Sequence, residues 1–205
     1  FEGKSVILAL GVKHRTLGLS GEEELIGSGI SFCAVCDGAF YAGQDVAMIG
    51  GGNSALQEAL LLSEVCKSVT IVQNLPVFTG EQRLADALAQ KENVNVLFST
   101  VVSGYETADG KLVGLQLRSE ADGTESRIDV DGAFLAVGLM PENEPFARLE
   151  NLNDWGYFDS GEDCMTQTPG VFVAGDCRSK HIRQVATAAA DGAIAAMAAC
   201  RYLEQ

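Results

Sequence analysis

Two cysteines two residues apart, Cys33-Ala-Val-Cys36, are followed directly by an acid, Asp37. That spacing brings two sulfurs within bonding distance across one helical turn, and the turn can lower the pKa of one thiol. Three chemistries use such a pair. A zinc site needs two further ligands, but no second Cys-x-x-Cys exists and the only histidines, His14 and His181, lie far apart, so no metal site is assigned. Packing of two core cysteines needs no acid beside them. A redox disulfide does need one, to supply and take up protons as thiolates form and leave, and Asp37 suits that task. Cys33, Cys36 and Asp37 are therefore the catalytic candidates.

A second constellation follows. Gly50-Gly51-Gly52-Asn53-Ser54-Ala55 stands between the apolar run Asp45–Ile49 and a segment of helical spacing. That is where a G-x-G-x-x-G/A fingerprint has meaning: Gly50 permits the tight turn, Gly52 lets the backbone approach a pyrophosphate, and Ala55 keeps helix close to strand. The helix N-terminus then presents amides and a favourable dipole to the phosphates. About 20 residues on, an acid would select the ribose of NADH and basic groups the extra phosphate of NADPH. The residues there are Val72-Gln73-Asn74-Leu75, so neither rule is met. The amides of Gln73 and Asn74 suit either ribose, and the choice between NADPH and NADH stays open. A nicotinamide gives up its electrons as hydride, whereas a disulfide opens by nucleophilic attack. A flavin between them reconciles the two.

The elements that must position these groups follow from periodicity. Apolar runs at Ser5–Leu10, Asp45–Ile49, Ser68–Val72 and Val94–Leu97 alternate with helical stretches at Asn53–Leu62 and Glu81–Gln90. Such alternation implies a parallel sheet with helices on its faces. From Thr100 to Val130 the texture changes: alternating runs at Leu112–Leu117 and Ser126–Val130 are broken by Asp109-Gly110 and Asp122-Gly123, a strong hairpin signal. A small antiparallel meander over one side of the sheet is expected. Gly132–Val137 returns as a buried strand, Leu139–Pro145 reads as a linker, and a strand at Gly170–Ala174 precedes an Ala-rich helix over Gln184–Leu203.

Composition narrows the partners. The 205 residues are 47% apolar and 20% charged, with 23 glycines and 4 prolines, which fits a compact α/β protein better than a disordered or collagen-like one. Twenty-eight acids against 14 bases give a formal net charge of −14, which disfavours nucleic acid and anionic membrane surfaces. The stretch Val185–Cys200 is interrupted by Asp191 and is too short for a membrane span. Of six cysteines only the first two are close, unlike a stapled secreted scaffold, and a cytoplasmic protein with one special thiol pair is expected. The chain opens Phe-Glu-Gly-Lys, without Met or a secretory leader, and enters an apolar run almost at once, as a piece of a larger fold would.

Cys33–Gly38, Val46–Ala55, Gly170–Asp176 and Arg183-Gln184 together resemble the low-molecular-weight thioredoxin reductases, in order and spacing, over nearly the whole chain. The resemblance implies a Rossmann-like parallel sheet with an antiparallel meander, inserted into a partial FAD-binding domain. Residues 1–21 would end the first half of the FAD domain, 22–137 would be the NAD(P)-binding-type domain, and 138–205 the second FAD half. The first βαβ of that FAD domain, with its own glycine fingerprint, would be missing. By the same resemblance Cys36 faces the flavin, Cys33 attacks the protein disulfide, and Asp37 donates protons. Gly175-Asp176 would hold the ribityl chain, and Arg183-Gln184-Val185-Ala186 would lie against the ring. The complete enzyme would be a homodimer passing electrons from a reductant through FAD to the disulfide and on to a thioredoxin-type dithiol protein, by rotation near Gly21 and Gly138. The piece alone would be nearly inactive and colourless. One departure matters: relatives using NADPH carry a His-Arg-Arg…Arg cluster where this chain reads Gln73-Asn74-Leu75 and then Thr79. NADH or a ferredoxin-type donor suits that gap; a reductase for a peroxidase carrier, or a redox-inert nucleotide sensor, are the other readings.

Overall fold

The computed structural model describes residues 2–204. In chain order the first elements are β1 (Val6–Leu8), β2 (Lys13–His14), α1 (Glu22–Leu25), β3 (Ile30–Ser31), α2 (Ala34–Asp37), β4 (Asp45–Ile49) and α3 (Asn53–Val65). There follow β5 (Ser68–Val72), α4 (Gln82–Ala89), β6 (Val94–Leu97), β7 (Thr100–Ala108), β8 (Lys111–Ser119), β9 (Glu125–Asp129) and β10 (Gly132–Leu135). The last are β11 (Leu139–Met140), β12 (Val171–Val173) and α5 (Val185–Leu203). The chain forms two compact units, one comprising the stretch up to His14 with everything from Leu139 onward, the other Arg15–Gly138.

The Arg15–Gly138 unit is built on a five-stranded sheet of order β3-β10-β4-β5-β6, with every neighbouring pair parallel. Strand alternation sends Val46, Met48, Val69, Ile71 and Phe134 to one face, where they meet the apolar stripe of α3 and α4. Ala47, Ile49, Val72, Ala133 and Leu135 go to the other face and pack on Val102, Leu112, Leu115 and Leu117 of the meander β7-β8-β9. Both faces of the central strands are thus dry, which is why they read as unbroken apolar runs. The helix after the glycine turn runs on to Val65, past the expected Leu62.

This unit begins at Arg15, ahead of the boundary near Glu22 that the resemblance implies. The cause is Glu22 itself. It is only 3% exposed, and its carboxylate accepts hydrogen bonds from the backbone N–H groups of Leu17 (2.9 Å), Gly18 (2.7 Å) and Leu19 (3.2 Å). The Tyr105 hydroxyl on β7 donates to the same carboxylate at 3.0 Å, and burial followed by that negative charge pushes the phenol pKa up. Leu17 and Leu19 are thereby drawn onto the meander-side core.

In the other unit β1 and β12 pair in parallel. The segment Leu139–Pro145, read from sequence as a linker, is not free of structure: Leu139 and Met140 form β11, antiparallel to His14 and Lys13 of β2. A chain that leaves and returns at one place has two neighbouring backbones there, and pairing them satisfies their polar groups. In the same way Arg15 N–H donates to Gly138 O at 3.0 Å within the first unit.

Asp191, the interruption in α5, anchors this second unit. Its carboxylate takes two bonds of 2.8 Å from the Arg178 guanidinium, one of 2.9 Å from Lys180 Nζ, and one of 3.0 Å from Gly175 N–H. Arg178 is 1% exposed and Asp191 4%. The hydrogen bonds from Arg178 are the main cause that lowers the Asp191 pKa from 3.8 to about 2, against an opposing desolvation. A depressed carboxylate contributes stability that is complete above its ordinary value and is lost as the pH falls through the lowered one. Stability should therefore fall between about pH 4 and pH 2, measured as urea midpoints across that range. Asp191→Asn, which leaves buried Lys180 without its counter-ion and buried Arg178 with only the exposed Glu162 at 3.4 Å, should cost about 3–5 kcal/mol at neutral pH and abolish this contribution to the acid dependence.

Candidate functional site

The thiol pair sits where β3 ends. Cys33 and Cys36 form a disulfide with Cα atoms 5.3 Å apart, and Cys33 is the N-cap of α2. Its sulfur accepts a hydrogen bond from Cys36 N–H at 3.1 Å, so a thiolate there would meet an amide donor as well as the start of a helical turn. Asp37 closes α2, and its carboxylate accepts from the Ser31 hydroxyl at 2.6 Å; the same Ser31 oxygen accepts from Cys33 N–H at 3.1 Å. One buried serine thus ties the acid to the backbone of the first cysteine. Sequence reading missed Ser31, whose only signal was proximity.

It also missed Glu58. This residue reaches from α3 to accept a hydrogen bond from Ala34 N–H, between the two cysteines, at 2.9 Å. Burial pushes its pKa up, and the Ala34 amide only partly offsets that. A second carboxyl group therefore stands against the thiol turn. Around the disulfide the surface is apolar: Val35 is 77% exposed and Phe40 78%.

The glycine turn joins β4 to α3 and lies between two strand ends. Gly50 has φ of 129°, and a Cβ there would lie 2.6 Å from the Ala136 carbonyl just beyond β10. A Cβ on Gly51 would lie 2.5 Å from the Gln73 carboxamide just beyond β5. Gln73 is 4% exposed and gives its amide hydrogen to Val77 O at 3.1 Å. One amide hydrogen of Gln73 thus holds the following loop in place, while the residue also lines the cavity over the glycine turn. The loop returns to the turn, with Thr79 and Gly80 N–H both donating to Gly51 O at 2.9 and 3.0 Å. Asn53 Oδ1 accepts Glu81 N–H at 2.7 Å and so joins the starts of α3 and α4. Ser54 is exposed in the first turn of α3, Ala55 is fully buried against the sheet, and α3 carries no side-chain cap. A cavity of about 710 Å³ opens over Gly50, Gly51 and Gly52, with Asn74, Arg15, Arg118 and Glu120 in its wall.

The remaining candidates lie in the other unit. Gly175 opens the turn after β12, and Asp176 Oδ1 is buried with no hydrogen-bond partner among the described residues. Arg183 donates from Nε to Asp176 O at 3.3 Å and stacks 4.2 Å over the Tyr157 ring. Gln184 caps α5, and its N–H donates to Thr187 Oγ1 at 3.1 Å. Val185, the first helical residue, is 87% exposed and is followed by Ala186. The turn that carries Asp176 is the one fixed by Asp191.

A disulfide on a short turn, a dinucleotide-type glycine turn in the same unit, and a family model for pyridine nucleotide-disulphide oxidoreductases matching residues 1–192 place the chain in that family. Several of its relatives are thioredoxin reductases. The Listeria monocytogenes thioredoxin reductase is 40% identical over all of this chain and 64% of its own length. A 34.2 kDa protein in the rubredoxin operon of Clostridium pasteurianum is 34% identical over 99% of this chain and 66% of its own. Among solved structures, thioredoxin reductase from Streptococcus pyogenes superposes with a TM-score of 0.87 at 36% identity, over 98% of this chain and 65% of that one. The chain is thus a member of that family, similar to thioredoxin reductases, and spans about 64% of the length of the first of these relatives. No helix among its described residues is long and apolar enough to cross a membrane.

Because backbone lies against Gly50 on the far side, Gly50→Ala should cost the Arg15–Gly138 unit about 2–4 kcal/mol, read as a lowered urea midpoint. An unchanged midpoint would mean that the β4–α3 turn tolerates a side chain and does not depend on this close approach.

Proposed function

We propose that the chain belongs to a flavoprotein that relays two electrons from a nicotinamide dinucleotide to the Cys33–Cys36 disulfide, and from there to a thioredoxin-type dithiol protein. The observation that carries this reading is the Cys33–Cys36 pair at the N-cap of α2, with Asp37 held beside it by Ser31, Val35 exposed between the cysteines and Phe40 exposed four residues after Cys36. In the reduced chain, Cys33 as thiolate attacks one sulfur of the partner disulfide, and the partner's other sulfur leaves as thiolate. Cys36 then attacks Cys33, re-forming their disulfide and releasing the partner as a dithiol. Two electrons pass outward, and two protons follow, one of which Asp37 is placed to deliver. The Cys36 N–H, which bonds Cys33 Sγ in the disulfide, is placed to steady charge on that sulfur when it attacks as thiolate.

The residues of the second unit fit an FAD. Asp176 offers a buried, unpartnered oxygen that a ribityl hydroxyl would satisfy, and Arg183, Gln184, Val185 and Ala186 form an exposed helix start suited to the ring. When bound, FAD supplies the step between hydride and thiol chemistry. Gly50, Gly51, Gly52, Asn53, Ser54 and Ala55 are the residues we assign to the dinucleotide, through the amides at the start of α3. The complete enzyme acts as a homodimer in this reading.

Thiol exchange needs no flavin, so it tests the proposal on the chain as it stands. Chain reduced with dithiothreitol and freed of it should convert oxidised thioredoxin to dithiol in a single turnover, followed by free-thiol labelling. Cys33→Ser should abolish the exchange. Phe40→Ser should slow its second-order rate about tenfold, the equivalent of ~1.4 kcal/mol of lost docking. Unimpaired exchange by Cys33→Ser would overturn the role given to that sulfur.

A further inference from the structure

The end of β5, where a carboxylate usually reads an adenosine ribose, carries none here, yet a carboxylate does stand in the cavity. Glu120 follows β8, far from β5 in sequence, and backbone bonds bring it there. Glu120 N–H donates to Ser99 O at 2.6 Å, Ser99 N–H donates to Leu75 O at 3.0 Å, and Thr100 N–H donates to Gln73 O at 3.0 Å. The start of β7 and the end of β8 are therefore laced to the residues that leave β5. Glu120 lines the same cavity as Gly52 and Asn74. Arg118 Nη2 donates to Glu120 Oε1 at 3.0 Å, a half-exposed ion pair that orients the carboxylate. A carboxylate has about four acceptor positions, so one bond from Arg118 leaves it able to take the hydroxyls of a vicinal diol.

We infer that Glu120, oriented by Arg118, reads the free 2′- and 3′-hydroxyls of the adenosine ribose and makes the cavity select NADH over NADPH. The inference rests on the dinucleotide reading of the glycine turn. A 2′-phosphate would instead meet the Glu120 carboxylate, in a chain of net charge −14. It would also meet Arg118 with its nearest N–H group turned to Glu120, and Gln73 with one amide hydrogen turned to Val77 O. The other arginine of the wall, Arg15, bonds by its backbone to Gly138 beyond β10, on the opposite side of β4 from β5. Sequence spacing could not show this, because the acid comes from a different hairpin than the fingerprint expects.

The test is calorimetric titration of the 205-residue chain with ADP-ribose and with 2′-phospho-ADP-ribose, which needs neither flavin nor turnover. ADP-ribose should bind more tightly by about tenfold or more, as expected when a site built to bond a hydroxyl rejects an analogue that lacks it. Glu120→Gln should narrow the ratio, and Glu120→Arg should reverse it, both with unchanged circular dichroism. Equal affinity for the two ligands, or a ratio indifferent to Glu120→Arg, overturns the inference while leaving the dinucleotide reading intact. Binding of neither ligand overturns that reading, and the inference with it.

Discussion

The absence of a side chain at Gly50 and Gly51 is the constraint on which the nucleotide-type unit turns. Three parallel strands end together there, and the chain must pass from the middle one into a helix between the ends of its neighbours. A Cβ at either position would fall within 2.6 Å of Ala136 or Gln73. Closing that gap is what lets Gln73 go inward, brings Val77 and Thr79 back over the turn, and leaves the start of α3 without a side-chain cap. The cavity is thus a consequence of how tightly the strand ends approach, at a point where the sheet order reverses and ligands bind in such folds.

Buried charge is handled alike in both units, despite the acidity of the chain. Glu22 is surrounded by backbone amides and a phenol, Asp191 by an arginine, a lysine and an amide. Neither carboxylate is left to pay its desolvation alone, which is the condition for keeping one in a core. Each also fixes a functional element: Glu22 fastens the entry into one unit, and Asp191 steadies the turn bearing Asp176. By contrast Glu58 has a single amide donor and is pushed toward its neutral form beside the thiols.

Much of the fold is legible because it is local. The run Asp45–Ile49, the glycines after it and the spacing of Leu56, Leu60 and Ser63 define a strand, turn and helix without help from elsewhere, though the buried face also takes in Leu62 and leaves Leu60 only partly covered. Asp109-Gly110 and Asp122-Gly123 mark the two reversals of the meander, since those residues accept turn conformations other side chains resist. The pairing of Lys13–His14 with Leu139–Met140 was not legible: two-residue strands have no periodicity, and their partners are more than a hundred positions apart. Nor was the seat of β10 between β3 and β4, because an apolar strand says that it is buried but not beside which neighbour.

The same division holds at the site. Sequence by itself determined the thiol pair with its adjacent acid, the glycine turn between strand and helix, and the Gly175-Asp176 turn before a long helix, because each is a run of neighbours with chemistry written into its spacing. It also determined that no charged group follows β5. Only the tertiary structure decided what compensates: Ser31 fastening Asp37, Glu58 against the thiol turn, Gln73 turned inward, and Glu120 delivered by the meander. Those are meetings of side chains from different elements, set by sheet order and register, and no spacing along one chain encodes where two strands will end side by side.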